Sequence, residues 1–181
     1  MNVGEQHAES VWVMGAGSVG CWVGGRLAAA GARGTGIVAD LRDSVGQIVS
    51  ALRRLHAARE VRIANEVPAG ISLACDPGDL AEILSNLIDN ACKWAASAVR
   101  ITATAGPEWI DIEVADDGPG IPPAERARVL EIGVRLDRAT QGTGLGLTIS
   151  RDIAALYGGT LHLRSVEDGP GLLAVLRLPA R

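Results

Sequence analysis

The chain of 181 residues carries 17 Lys and Arg against 21 Asp and Glu, a formal charge of −4, with 48% apolar residues but only 3% aromatic ones and no Phe. That suits one domain, or one domain with an appendage, whose core is built from Leu, Ile, Val and Ala. An acidic balance without a run of Lys and Arg excludes the footprint of a nucleic-acid binder. The three cysteines, Cys21, Cys75 and Cys92, are scattered and odd in number, which fits reduced thiols in a cytosolic protein rather than a disulfide framework or zinc site. Glu5 and Glu9 with no early Lys or Arg do not make a secretory signal. The apolar stretch from Val11 to Ala32 is interrupted by Arg26 and glycines, whereas a membrane span needs ~20 predominantly apolar residues.

In chain order, Val11 to Met14 feeds Gly15-x-Gly17-x-x-Gly20 and a helix-compatible stretch from Cys21 to Ala30. A second strand, Gly36 to Ala39, follows, with Asp40 where a ribose-binding acid would sit in a dinucleotide fold. This stretch resembles the beginning of ketopantoate reductase-like dehydrogenases, and the resemblance stops near Gly34. The expectation is an appended βα segment over residues 1–36, without cofactor, followed by a second domain over residues 37–181.

Leu41, Val45, Ile48, Val49, Leu52 and Leu55 recur at helical spacing and predict an amphipathic helix ending near Arg59. Val61 to Ala64 and Ile71 to Cys75 read as strands. Asp76 then caps a helix with Pro77 at its first position, running to about Ala95. That helix carries two stripes. Leu80, Ile83, Leu84, Leu87, Ile88 and Ala91 form a buried face, whereas Glu82, Asn86, Asn90 and Lys93 follow one another on a neighbouring face. Two amides and an ammonium bordering a core are costly unless something polar meets them, and a triphosphate with its metal would do so. Val99, Ile101 and Ala103 alternate with polar residues, as do Ile110, Ile112 and Val114, predicting a hairpin with one buried face and Asp116 at the exit of its second strand. Thr148 to Tyr157 reads as a helix stopped by Gly158-Gly159, and a last hairpin pairs Thr160–Arg164 with Leu172–Leu178. No internal repeat, low-complexity tract or long linker is present.

The most informative stretch is Asp116 to Leu147. It opens with Asp116-Asp117-Gly118-Pro119-Gly120 and closes with Gly142-Thr143-Gly144-Leu145-Gly146-Leu147, and the segment between has charges but little apolar periodicity. Glycine clusters leave main-chain N–H groups open to a ligand, and the second cluster runs into a helix start that attracts anions. The chemistry predicts a mobile lid over nucleotide phosphates between Pro119 and Gly142. Asp116-x-Gly118-x-Gly120, Gly142-x-Gly144-x-Gly146 and Asn86-Leu-Ile-Asp-Asn90-Ala-Cys-Lys93, in this order and spacing, resemble the glycine and asparagine boxes of the GHKL superfamily, and within it the catalytic ATP-binding domain of bacterial sensor histidine kinases. The resemblance covers about Ile37 to Pro179.

It implies a two-layer α/β sandwich of the Bergerat type, with a mixed, mostly antiparallel sheet, three main helices on one face and a mobile ATP lid. It implies ATP and Mg²⁺ as cofactors. Asp116 would accept a hydrogen bond from the adenine amino group, with Gly118, Gly120 and Ile121 beside the base. Asn90 would be the metal ligand, Asn86 a second polar contact and Lys93 a phosphate contact. Gly142, Thr143, Gly144, Leu145 and Gly146 would wrap the phosphates, and Arg135 would neutralise the γ-phosphate. Asn86, Lys93 and Arg135 are thus the catalytic candidates. Related ATPases carry a glutamate four residues before the metal-binding Asn; here that position is Asn86, and a neutral amide is no general base, which favours phosphoryl transfer over hydrolysis. The family's phenylalanine box has no counterpart, Val129-Leu-Glu-Ile132 standing in its place. Trp94 occupies a position where many members have Tyr.

No histidine stands in a phosphoacceptor pattern: His7, His56 and His162 lack the following acid and proline, and read as surface or packing residues. The phosphoacceptor histidine domain, and the response regulator after it, would therefore be separate partners, and a membrane would enter only through a sensor region outside this chain. Three other readings remain open: a serine kinase of the anti-sigma type, an ATP-binding pseudokinase, and an NAD(P)-binding oxidoreductase supported by the N-terminal fingerprint alone.

Overall fold

Asp40 ends a short strand and at once starts a helix, and this junction sets the character of the N-terminal edge. The computed structural model describes residues 38–131, 145–167 and 169–180. Within it, β1 (Val38–Asp40) pairs antiparallel with β3 (Ser72–Ala74), Asp40 lying opposite Ser72. The Asp40 carboxylate accepts the Asp43 N–H at 3.0 Å and so caps α1 (Leu41–Leu55). Asp40 thus serves as a helix cap, and among the described residues its strand pairs only with antiparallel β3. The glycines of the N-terminal fingerprint lie outside the described residues.

Leu41, Val45, Val49 and Leu52 form the buried stripe of α1. Leu55, expected on that stripe, is 47% exposed, and the helix stops there, short of Arg59. A single 3-10 turn, Ala57–Arg59, follows, and Glu60 turns the chain in the left-handed region at φ 54°. An L-residue with a long side chain is strained there, and glycine is not. Glu60→Gly should accordingly stabilise the domain by about 0.5–1 kcal/mol, the net of relieved strain and added unfolded-state entropy, and a urea unfolding curve checks it.

β2 (Arg62–Asn65) leads through β3 to Asp76, whose carboxylate accepts the N–H groups of Gly78 and Asp79 and starts α2 (Pro77–Trp94). Leu80, Ile83, Leu84, Leu87, Ile88, Ala91 and Cys92 are buried, so the apolar stripe read from the sequence is the core face of α2. β4 (Ala98–Ala105) and β5 (Trp109–Asp116) make the expected hairpin, with Ile101 opposite Val114 and Ala103 opposite Ile112. After α4 (Gly146–Leu156), β6 (Thr160–Ser165) and β7 (Leu172–Pro179) make the second.

The main sheet runs β2-β4-β5-β7-β6, parallel only between β2 and β4. α1 packs on β2, α2 on β4 and β5, and α4 on β6 and β7, with α2 between the other two helices. The mixed sheet under three main helices is the architecture expected. The core sits between the layers, around Leu84, Leu87, Ile88, Ile101, Ile112 and Leu176.

One element was not foreseen. The segment read as a lid from Pro119 onward contains a fourth helix, α3 (Pro123–Val129), with Val129 buried. Arg126 fastens it, donating to the Ile121 carbonyl at 2.9 Å and to the Ser165 hydroxyl at 2.6 Å. At its far end the Leu130 carbonyl accepts from Arg151 at 2.7 Å and the Glu131 carbonyl from Thr148 at 3.0 Å, both donors lying on α4. Residues 119–131 thus belong to the body of the domain, and the rest of the expected lid, 132–144, lies outside the described residues.

Candidate functional site

Asp116 owes its place to the two-residue period of β5. Ile110, Ile112 and Val114 point into the core, and Asp116, next in that series, points the same way, opposite Val99 and 5% exposed. A carboxylate on the helix-facing side of a sheet needs partners. The Gly118 N–H donates to Oδ1 at 2.9 Å and the Leu172 N–H to the same oxygen at 3.4 Å. Oδ2 has no partner among the described residues. Burial raises the Asp116 pKa, and the two N–H donors oppose that rise.

The glycines after Asp116 are needed for close packing of backbone. A Cβ on Gly118 would stand 2.3 Å from the Trp94 carbonyl oxygen, so this turn docks onto the end of α2. Gly120, at φ 70°, faces the Gly171 carbonyl, where a Cβ would come to 2.7 Å. Gly171 in turn presses on the Asp116 carbonyl from the β6–β7 turn. Three chain segments therefore meet around one carboxylate with no room for a methyl group.

Asp117, not singled out from the sequence, carries the next contact. Its Oδ1 accepts the N–H groups of Ser97 at 2.9 Å and Ala98 at 3.0 Å, and its Oδ2 the Ser97 hydroxyl at 2.6 Å. Burial alone would raise its pKa, but these donors outweigh it and hold the carboxyl at about 2. With a folded pKa below the unfolded value, the stabilisation is present above about pH 4 and is lost as pH falls through about 2. Asp117→Ala should cost about 2 kcal/mol, since the three donors at the α2–β4 junction lose an ionised acceptor but remain partly solvated. Denaturant unfolding at pH 7 and pH 2 checks this: the gap between variant and parent should shrink at the lower pH.

Along α2, the polar stripe faces the same region. Asn86 Nδ2 is buried without a partner among the described residues, and the Asn90 side chain makes no hydrogen bond within them. Gly146, the first residue of α4, lies against Asn86, since a Cβ on it would meet the amide oxygen at 3.5 Å. Leu145 precedes it and passes its carbonyl to the Ile149 N–H at 2.8 Å. The N-terminus of α4 is thus set beside the middle of α2, with its electropositive end toward the stripe. Lys93 pairs with Asp89, Nζ to Oδ2 2.5 Å, and Asp89 also holds His56 at 2.8 Å. Ile121 packs at the margin of the core. The structure therefore gathers Asn86, Asn90, Lys93 and Gly146 along α2, with Asp116, Gly118 and Gly120 at its C-terminal end. Arg135, Gly142, Thr143 and Gly144 lie outside the described residues.

Such a site has an acceptor at one end, amides and an ammonium along its length, and a helix N-terminus at the other side, a donor set suited to a base joined to an anionic tail. Among the described residues no helix is long and apolar enough to cross a membrane, and no group of three or more His, Cys, Asp or Glu could hold a metal ion by itself. The buried thiols are no candidates for chemistry: desolvation pushes Cys75 and Cys92 up to about 11.

Residues 75–181 match the family model of histidine kinase-, DNA gyrase B- and HSP90-like ATPases. The sensor protein kinase CarS of Pseudomonas aeruginosa is 44% identical over 142 residues, 77% of this chain and 31% of that protein. The virulence sensor histidine kinase PhoQ of Salmonella typhimurium is 34% identical over 147 residues, 77% of this chain and 30% of that protein. The chain thus spans less than a third of the length of these curated relatives. Among solved structures, the mycobacterial sensor histidine kinase MprB superposes with a TM-score of 0.69 at 27% identity, covering 80% of this chain and 97% of that one. Full-length ShkA in complex with AMPPNP gives 0.69 at 29% identity, covering 82% of this chain and 32% of that one. With the sheet order in agreement, the chain belongs to the family of histidine kinase-, DNA gyrase B- and HSP90-like ATPases, as an ATP-binding catalytic domain of the histidine kinase type.

Proposed function

We propose that this domain binds Mg·ATP along α2 and donates the γ-phosphoryl group to a histidine on a separate phosphoacceptor domain, from which a response regulator receives it in the cytoplasm. The observation that carries the reading is Asp116: a buried carboxylate with one oxygen engaged by backbone N–H groups and the other without a partner among the described residues, at the end of a helix lined by Asn86, Asn90 and Lys93. The free oxygen accepts the adenine amino group. Asn86, whose amide nitrogen has no partner among the described residues, and Lys93 meet the phosphates, with Arg135, Gly142, Thr143 and Gly144 completing the wrap and Ile121 flanking the base.

Mg²⁺ fits this donor set. It takes few protein oxygens and keeps phosphates and water, so the single amide oxygen of Asn90 suffices without a carboxylate cluster. When bound it neutralises phosphate charge. Asn86 supplies no base for water, and that distinguishes transfer from hydrolysis.

Incubation with γ-labelled ATP and a histidine-bearing acceptor domain tests the reading. Label that is acid-labile and base-stable on the acceptor is the expected result. Acid-stable label would assign a serine kinase, and free phosphate without labelled protein an ATPase.

A further inference from the structure

We propose that His56 is a positioning residue for Lys93: from the end of α1 it holds Asp89, which holds the Lys93 ammonium ready for phosphate. The proposal rests on the reading of Lys93 as a phosphate contact. Asp89 lies one helical turn before Lys93, and its two oxygens are divided between partners, Oδ2 at 2.5 Å from Lys93 Nζ and Oδ1 at 2.8 Å from His56 Nε2. Since a carboxylate only accepts, Nε2 carries the proton in this bond. The residue itself is anchored through its main chain, because the backbone N–H of His56 donates to the Leu52 carbonyl at 2.8 Å and closes α1.

An exposed Asp–Lys pair on a helix is weak and leaves the lysine free to wander. This one differs in two ways. The side chains of His56, Asp89 and Lys93 are only 11%, 17% and 25% exposed, so the carboxylate is held at both oxygens in a partly desolvated place. In addition, Arg59, in the turn just after His56, donates to the backbone carbonyls of Lys93 and Ala95. The end of α1 thus grips the main chain of Lys93 with one residue and its side chain, through Asp89, with another. A lysine stem has much rotamer freedom to lose when its ammonium is fixed. Restraint in advance lowers that cost at the moment of binding.

The test uses the full chain and two ligands, Mg·ATP and adenosine, each displacing a fluorescent ATP analogue. His56→Ala should weaken Mg·ATP by about 3- to 10-fold, the scale of coupling between groups in contact, and leave adenosine unchanged. His56→Gln, whose amide nitrogen can replace Nε2 as donor, should restore most of the loss. On a Lys93→Ala background His56→Ala should have no further effect. An unchanged ratio of ATP to adenosine affinity, equal weakening of both ligands, failure of Gln to rescue, or an effect that simply adds to Lys93→Ala would each overturn the proposal. A parent chain that fails to bind Mg·ATP would instead overturn the reading beneath it.

Discussion

Asp116→Asn should separate binding from stability. The amide keeps an oxygen for the Gly118 and Leu172 N–H groups but presents an NH₂ group where the second carboxylate oxygen stood, so a donor faces the adenine amino donor. Loss of a charge-assisted hydrogen bond costs on the order of 1.5–3 kcal/mol, and Mg·ATP affinity should fall by about 10- to 100-fold in calorimetry. Stability should move the other way. Burial raises the Asp116 pKa, so the carboxylate stabilises the fold less as pH rises through its folded value and is a liability at pH 7. The variant should melt at or above the parent at pH 7, and at or below it at pH 4. Undiminished ATP affinity would remove Asp116 from the site.

Gly171→Ala should be the most damaging single methyl group among the described glycines. At φ 147° the backbone suits glycine alone, and the new Cβ would stand 2.1 Å from the Asp116 carbonyl oxygen and 2.9 Å from the Val166 side chain. A loss of ~3 kcal/mol or more is expected, with reduced ATP affinity because the Leu172 N–H moves off Asp116. Gly169 is the control within the same turn. Its φ is 129°, yet a Cβ there meets nothing within 4 Å. Gly169→Ala should cost only the backbone strain, ~1–3 kcal/mol, and leave binding intact. Thermal melts and ATP titrations of the two variants decide between them.

The contrast shows where sequence pattern stops being informative. α2 was legible because its stripes are defined by spacing along one helix, and the hairpins because alternation is a local property. Asp116 was legible as a strand exit for the same reason. The meeting of Gly171 with Asp116 was not, because it joins residues 55 positions apart in the chain, and a Gly-Pro-Gly turn looks alike whether or not a neighbour presses on it. α3 escaped because only Val129 of its residues is buried, too little for a period to emerge. Asp117 left one signal, a second acid beside the first, but nothing in the sequence says that its oxygens close the α2–β4 junction. The sequence leaves Lys93 open toward phosphate; its pairing with Asp89 is an i,i+4 pair within α2, whereas the His56 contact to Asp89 depends on the end of α1 reaching α2.

The pairing of β5 with β7 also has a kinetic meaning. The β4–β5 and β6–β7 hairpins close between near neighbours in the chain, whereas the Leu172 N–H reaches Asp116 across a separation of 56 residues. Loop closure over such a distance is slow, so the hairpins can form while the carboxylate still lacks its second anchor. Any species folded only that far has no finished nucleotide site. ATP should therefore act on the native state alone, slowing unfolding in stopped-flow experiments while leaving the refolding rate of the chain nearly unchanged.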